Sequence, residues 1–207
     1  MAEARRIAMA AVLVAALSGC ANPINQRTAT NYYQAAVDAE VAGDYRLAER
    51  NYERALVNAR LGHSPDAGIS AAMYGLGRMK GRACRYDEAE KLLLESLRLE
   101  ETVTGPKSAT TTMRLFEIAR LYYDQGKYVA SLPYFRRGMM GVKTLGVQRT
   151  DPIALADALD DYATALANAQ QPSDADAVRR EASDLRQRNP GAKAIFKPVR
   201  YNQKCAT

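Results

Sequence analysis

Residues 42–56 read "AGDYRLAERNYERAL", 83–97 read "ACRYDEAEKLLLESL" and 125–139 read "QGKYVASLPYFRRGM". Each holds a Tyr, a small residue three later, a large apolar residue four further, and a small residue three after that. In order these are Tyr45, Ala48, Tyr52, Ala55; Tyr86, Ala89, Leu93, Ser96; and Tyr128, Ser131, Phe135, Gly138. Steps of three and four place all four positions on one helical face. Small residues there let a second helix approach closely, and the large residue fills the gap that remains. A partner helix precedes each stretch, marked by Tyr32, Ala35 and Ala36, by Met73, Leu76 and Gly77, and by Leu115, Ile118, Ala119 and Tyr122. A degenerate fourth unit carries Leu159, Tyr162, Ala163 and Leu166, then Pro172, Ala175 and Ala182. The small residues Ala48, Ala89, Ser131 and Ala175 recur at spacings of 41, 42 and 44. The spacing predicts a helical repeat from Tyr32 to Arg188, because a fixed period is the mark of stacked supersecondary units.

Between the units stand Gly62-His63-Ser64-Pro65-Asp66, Gly105-Pro106-Lys107-Ser108, and the stretch from Gly146 to Asp151-Pro152. Gly stops one helix, and Pro or Ser/Asp starts the next. These residues resemble the tetratricopeptide repeat, a pair of antiparallel helices with a usual period of about 34. A period near 42 with a Gly-x-x-His-Pro-like linker resembles its kinesin-light-chain subtype. The resemblance implies an all-α fold: a right-handed solenoid of about four helical hairpins over residues 29–188, followed by a C-terminal tail, 189–207.

The chain starts differently. Ile7 to Leu17 is an uncharged run of 11 residues behind Arg5 and Arg6. That is too short to span a bilayer, which takes roughly 20 residues, and suits the core of a signal peptide. It ends at Leu17-Ser18-Gly19-Cys20, which resembles the bacterial lipobox. The resemblance implies a lipoprotein with a signal peptide at 1–19, acyl chains such as palmitate on Cys20, and a tether over 20–28. Two or three chains make a stable anchor where one holds marginally. Ala21, rather than Asp, follows the Cys, and the resemblance then implies the bacterial outer membrane, facing the periplasm.

A net charge of +6 is spread along 207 residues, with Lys and Arg mixed among Asp and Glu. A nucleic-acid binder clusters its basic residues, so nucleic acid is not an expected partner. Setting Cys20 aside leaves Cys84 and Cys205, a candidate disulfide pair in an oxidising compartment. The single histidine, His63, falls in a linker. Adjacent carboxylates such as Asp160-Asp161 and Glu100-Glu101 point about 100° apart on a helix and do not converge. No nucleophile, phosphate-loop or metal-ligand motif is present. An enzyme is not expected, nor a cofactor or metal beyond the covalent lipid.

Solenoids bind along their concave surface. The resemblance places Tyr33, Gln34, Val37 and Glu40 there from unit one, and Tyr74, Arg78 and Arg82 from unit two. Unit three adds Met113, Phe116, Glu117, Arg120 and Tyr123, and unit four adds Asp157, Asp160 and Asp161. The candidate partner groove is therefore Tyr33, Tyr74, Arg78, Arg82, Phe116, Arg120 and Tyr123, rich in residue types that dominate binding hot spots. It suits protein or peptide partners, acidic ones included. The expected function is a membrane-anchored periplasmic scaffold or adaptor in envelope assembly or regulation, with a glycan- or peptidoglycan-binding module as the alternative. Beyond Asn189-Pro190-Gly191, the tail keeps Ile195, Phe196, Val199 and Tyr201 among Lys and Arg residues. An aromatic tail of this kind is expected to pack on the solenoid, bringing Cys205 to Cys84, or else to cap unit four.

Overall fold

The computed structural model describes residues 21–201. Residues 1–20 and 202–207, with the expected signal peptide, Cys20 and Cys205, lie outside the described residues. Within them stand nine helices and no strand: α1 (Pro23–Val41), α2 (Tyr45–Leu61), α3 (Asp66–Arg82), α4 (Tyr86–Thr104), α5 (Ala109–Asp124), α6 (Tyr128–Leu145), α7 (Val147–Thr150), α8 (Pro152–Asn168) and α9 (Pro172–Arg188). The pairs α1/α2, α3/α4, α5/α6 and α8/α9 form four hairpins, each stacked on the next. The expected solenoid is the fold observed.

The repeated small residues meet the reason given for them. Ala48, Ala89, Leu93, Ser96, Ser131, Phe135, Gly138, Ala175 and Ala182 are buried between helices. The four turns inside the hairpins all pass through a left-handed residue: Gly43, Cys84, Gly126 and Gln170. At φ +58, Cys84 holds a place that glycine takes in units one and three. An L-residue in that conformation costs about 1 kcal/mol. Ser108 and Asp151 cap α5 and α8 through their side chains, as the linker residues led one to expect.

Two boundaries differ from expectation. Residues 23–28, expected as a tether, form the first turns of α1. Asn22 caps that helix by accepting from the N–H groups of Ile24 and Asn25, Pro23 fits its first position, and Gln26 donates to the carbonyls of Gly62 and His63. The last linker contains a short helix, α7, inserted after the left-handed Gly146.

Candidate functional site

The first helices of the hairpins, α1, α3, α5 and α8, present the candidate groove residues. The sequence reading treated their arginines as open cations. The structure engages them within the solenoid, with carboxylates of the same or an adjacent helix and with an aromatic ring. Arg78 pairs with Glu40 of α1 (2.5 Å) and sits 3.7 Å from Glu117 of α5. Arg120 donates to Glu117 at 3.2 Å. Tyr74 donates to the same carboxylate at 2.9 Å, beneath the guanidinium groups of Arg78 and Arg114. Arg82 stacks 3.6 Å over Tyr45. Tyr33 meets Tyr52 edge-on, and the Tyr52 hydroxyl donates to Glu40. Phe116 is buried and edge-on to Phe135, and Tyr123 lies under Arg200.

The tail accounts for the remainder of the face. Past Arg188 the chain turns back in extended form along α8, α5 and α3. Asp151 accepts from the backbone N–H groups of Ile195 and Phe196. Asp161 grips Arg200 through two bonds of 2.5 and 3.1 Å. Asp124 accepts from the Tyr201 N–H at 2.7 Å. The Tyr201 hydroxyl donates to Glu117 at 2.5 Å, and the Tyr201 carbonyl accepts from Tyr86 on α4. Tyr201 is 1% exposed and joins Val199 in the core formed by α4 and α5. Its ring lies over Gly81, where an added Cβ would stand 2.5 Å from a ring carbon. Any side chain at Gly81 would exclude this ring, which is the reason for a glycine inside α3. The expectation that the tail packs on the solenoid is met, along the concave face rather than as a cap on unit four.

Electrostatics follow the geometry. Burial pushes the Glu117 carboxyl up, but Arg120, Arg78 and the hydroxyls of Tyr201 and Tyr74 outweigh it and hold Glu117 below the usual carboxylate range. Burial also raises Asp124, and there the Tyr201 N–H and Arg200 do not fully compensate. The hydroxyls of Tyr74 and Tyr201 are raised by burial and by the Glu117 charge, so they remain donors at neutral pH.

Beyond the tail the face stays open. Between α5 and α8 lies a cavity of about 620 Å³. Its floor is apolar, with Phe116, Val142 and Leu155, and Phe196 and Pro198 of the tail form one wall. Four carboxylates line it, Asp151, Asp157, Asp160 and Asp161, against Arg120 and Arg200. Arg186 of α9 bonds to both Asp157 and Asp160. Among the described residues no cluster of three or more His, Cys, Asp or Glu could hold a metal ion, and no helix is long and apolar enough to cross a membrane. Cys84 is disulfide-bonded.

The sequence profile of the tetratricopeptide repeat matches residues 26–102 and 68–139, more than half of the chain. The chain belongs to the tetratricopeptide-repeat family. No curated protein sequence matches it. Among solved structures it is similar to BtubC (BKLC) from P. vanneervenii, at 17% identity and a TM-score of 0.72, covering 83% of this chain and 68% of that one. It is also similar to a Podosopora anserina chain described as a kinesin light chain with nearly identical TPR-like repeats. That match has 14% identity and a TM-score of 0.62, over 79% and 77% of the two chains. At such identity the likeness is one of fold. It agrees with the kinesin-light-chain-like period read from the sequence, and tetratricopeptide repeats are binding scaffolds.

Two groups of functional residues were missed by sequence reasoning. One is the pair of carboxylates that hold the tail's backbone, Asp124 at the end of α5 and Asp151 at the start of α8. The other is Gly81, whose signal was available: three of the four glycines of α3, Gly75, Gly77 and Gly81, fall in its second half, and glycine inside a helix marks a close approach. A Cβ on Gly75 would collide with the Tyr52 ring, and one on Gly77 with Leu93.

Proposed function

We propose that this tetratricopeptide-repeat chain is a non-enzymatic scaffold of the bacterial envelope, anchored in the outer membrane through acyl chains on Cys20. It faces the periplasm and binds extended segments of protein partners on its concave face. The observation that carries the reading is the tail. Residues 195–201 lie extended across α8, α5 and α3, with main-chain N–H groups held by Asp151 and Asp124. A surface that holds one strand by its backbone has the chemistry to hold others. The anchor follows from the lipobox-like Leu17-Ser18-Gly19-Cys20 behind an uncharged run. Because α1 begins three residues after Cys20, such an anchor keeps unit one close to the bilayer. The glycan reading needed an open Arg and aromatic face, and Glu40 and Glu117 already occupy Arg78, Arg120 and Tyr74.

We assign the partner of Cys84 to Cys205. The Asn22 N–H donates to the Gly62 carbonyl, so the N-terminus enters at the linker end of the hairpins. Cys84 is at the opposite end, about 25 Å away along a 17-residue helix. Two residues before Asn22 span at most about 7 Å, which leaves Cys20 out of reach. Cys205 is four residues beyond Tyr201, a span of at most about 14 Å. Tyr201 is already fastened beside Cys84 through Tyr86, whose hydroxyl contacts both the Tyr201 carbonyl and Cys84 Sγ. Non-reducing peptide mapping should find one cross-linked peptide holding both cysteines. Two alkylatable thiols would sink the assignment.

In-cell cross-linking of the full-length lipoprotein, followed by capture and mass spectrometry, tests the scaffold. Discrete envelope proteins lost on Cys20→Ala, which removes the anchor, support it. Retention by purified cell wall without protein partners would replace it with the glycan reading.

A further inference from the structure

We propose that the cavity between α5 and α8 takes a partner segment of apolar residues flanked by Lys or Arg. This rests on the scaffold reading and names the chemistry of its ligand.

Shape is the first argument. About 620 Å³ falls within the ~300–1,000 Å³ typical of built sites. That is room for one or two large side chains against Phe116, Val142 and Leu155. Its mouth is apolar too: Met113 is 43% exposed, Phe196 45% and Leu145 38%. Side chains of that size left open to water in one place mark an interaction surface.

Charge is the second. The two arginines of the cavity are already matched, Arg120 by Glu117 and Arg200 by Asp161. Asp157 and Asp160 share a single partner, Arg186, and their side chains remain 54% and 48% exposed. The rim therefore keeps an excess of negative charge. An acidic segment would meet that rim with no arginine whose charge is unmatched, the one arginine N–H of the cavity without a partner, Arg120 Nε, being buried. A Lys or Arg beside the apolar anchor would complete the pairing, and complementary charge fixes both register and partner choice.

The third argument is the chain's own tail. The segment Lys193-Ala194-Ile195-Phe196-Lys197-Pro198-Val199-Arg200-Tyr201 alternates apolar and basic residues, and it is bound to carboxylates of the same helices. It is an intramolecular example of the ligand class proposed for the open portion beside it.

The test is a fluorescence-polarisation titration of the purified chain with three labelled peptides of sequence KKFIFKK, QQFIFQQ and EEFIFEE. The basic peptide should bind at least ten-fold more tightly than the acidic one, and more weakly as salt rises. Ala158→Trp, which fills the cavity, should abolish binding. Met113→Lys, at the exposed rim, should weaken the basic peptide without touching the core, and it serves if Ala158→Trp does not fold. Equal affinity for all three peptides, preference for EEFIFEE, or binding indifferent to both variants would overturn the proposal. Envelope proteins captured by cross-linking alongside such a result would leave the scaffold reading standing. Captured partners absent altogether would count against the scaffold itself.

Discussion

Units two and three close their shared concave face, whereas units three and four leave theirs open. The same repeated helix builds both. Glu117 in α5 and Asp161 in α8 occupy equivalent places, two residues before the buried Ala119 and Ala163. Each receives the tail, Glu117 the Tyr201 hydroxyl and Asp161 the Arg200 guanidinium. The difference lies in what surrounds them. Glu117 is fully buried, with Arg78, Arg120, Tyr74 and Tyr201 around one carboxylate. Asp161 remains 18% exposed beside a cavity. A repeat fixes where side chains point, and the neighbours decide whether a position becomes core or binding surface.

The largest expected effect breaks that comparison at its centre. Glu117→Ala removes the acceptor that two buried hydroxyls and two arginines share. Breaking a buried charge pair of this kind costs about 3–5 kcal/mol, a large share of the stability of one domain. Asp161→Ala, at the matching place, should cost only about 1–2 kcal/mol, since both partners touch solvent. Thermal or urea unfolding of the two variants checks this, and equal losses would mean that the two positions are not energetically distinct. The same logic bears on Arg78→Glu or Arg120→Glu. Each would set a further carboxylate against Glu117 and act on folding before it acted on any partner.

Next comes the tail. Gly81→Ala would place a Cβ 2.5 Å from the Tyr201 ring. Overpacking of this sort costs about 1–3 kcal/mol, more than the up to ~1 kcal/mol that alanine adds to a helix. The ring should lift, and limited trypsin digestion after Lys193 and Arg200 should become faster. Ala158→Val adds a similar bulk beside the open cavity and should change stability by about 0.5 kcal/mol or less. Unchanged digestion of Gly81→Ala would show that the tail is not held by this contact.

How much of this was legible beforehand can be judged residue by residue. Ala48, Ala89 and Ser131 announced the hairpins, because helix packing needs small residues at fixed steps whatever lies around them. Ser108 and Asp151 announced helix starts, since a cap is a local bond. Arg78 and Arg120 were placed on the correct face but read as free cations. Arg78 finds Glu40 and Glu117 on the adjacent helices, which no spacing within α3 reveals. Glu117 and Arg120 stand at a legible i,i+3 spacing, and only their burial beneath the tail was hidden. The tail's aromatic residues said that it would dock. Where it docks depended on Asp124, Asp151 and Gly81, three residues from a helix end, a linker and a helix interior that meet only in the folded solenoid.

Acid should weaken the closed half first. Glu117, Glu100 and Glu49 all lie below their usual 4.5 in the folded chain. Burial opposes this in each, and Arg120 with Arg78, Thr110 with Arg114, and Arg85 with Lys80 overcome it. A depressed folded pKa contributes stability that is present above the unfolded value and lost as pH falls through the folded one. Asp124 runs the other way, being raised by burial. Its contribution is present at low pH and is lost as pH rises through its folded value. Three groups against one predict a net fall in stability below about pH 4.5, seen as a decline in melting temperature from pH 6 to pH 3. Glu117→Gln should flatten that decline, and Asp124→Asn should steepen it.

The smallest expected change in stability falls on Asp157, and there stability and function come apart. Its carboxylate is half exposed, and Arg186 retains Asp160 at 2.6 Å when Asp157 is neutralised. Exposed pairs of this kind contribute about 0.2–1 kcal/mol, and the surviving bond keeps the loss toward the lower end. Asp157→Asn should therefore leave the unfolding curve nearly where it was. Binding obeys a different balance, because a cationic ligand responds to the uncompensated charge at the rim, and Asn removes one of only two carboxylates that the tail does not already hold. KKFIFKK should bind several-fold more weakly to Asp157→Asn while QQFIFQQ is unaffected. If both peptides weaken together, the residue shapes the cavity; if neither does, the rim charge plays no part in recognition. Glu117 is the opposite case, a charged residue in the same groove whose removal costs about 3–5 kcal/mol of stability, so that weaker binding by such a variant would report on the fold rather than on recognition.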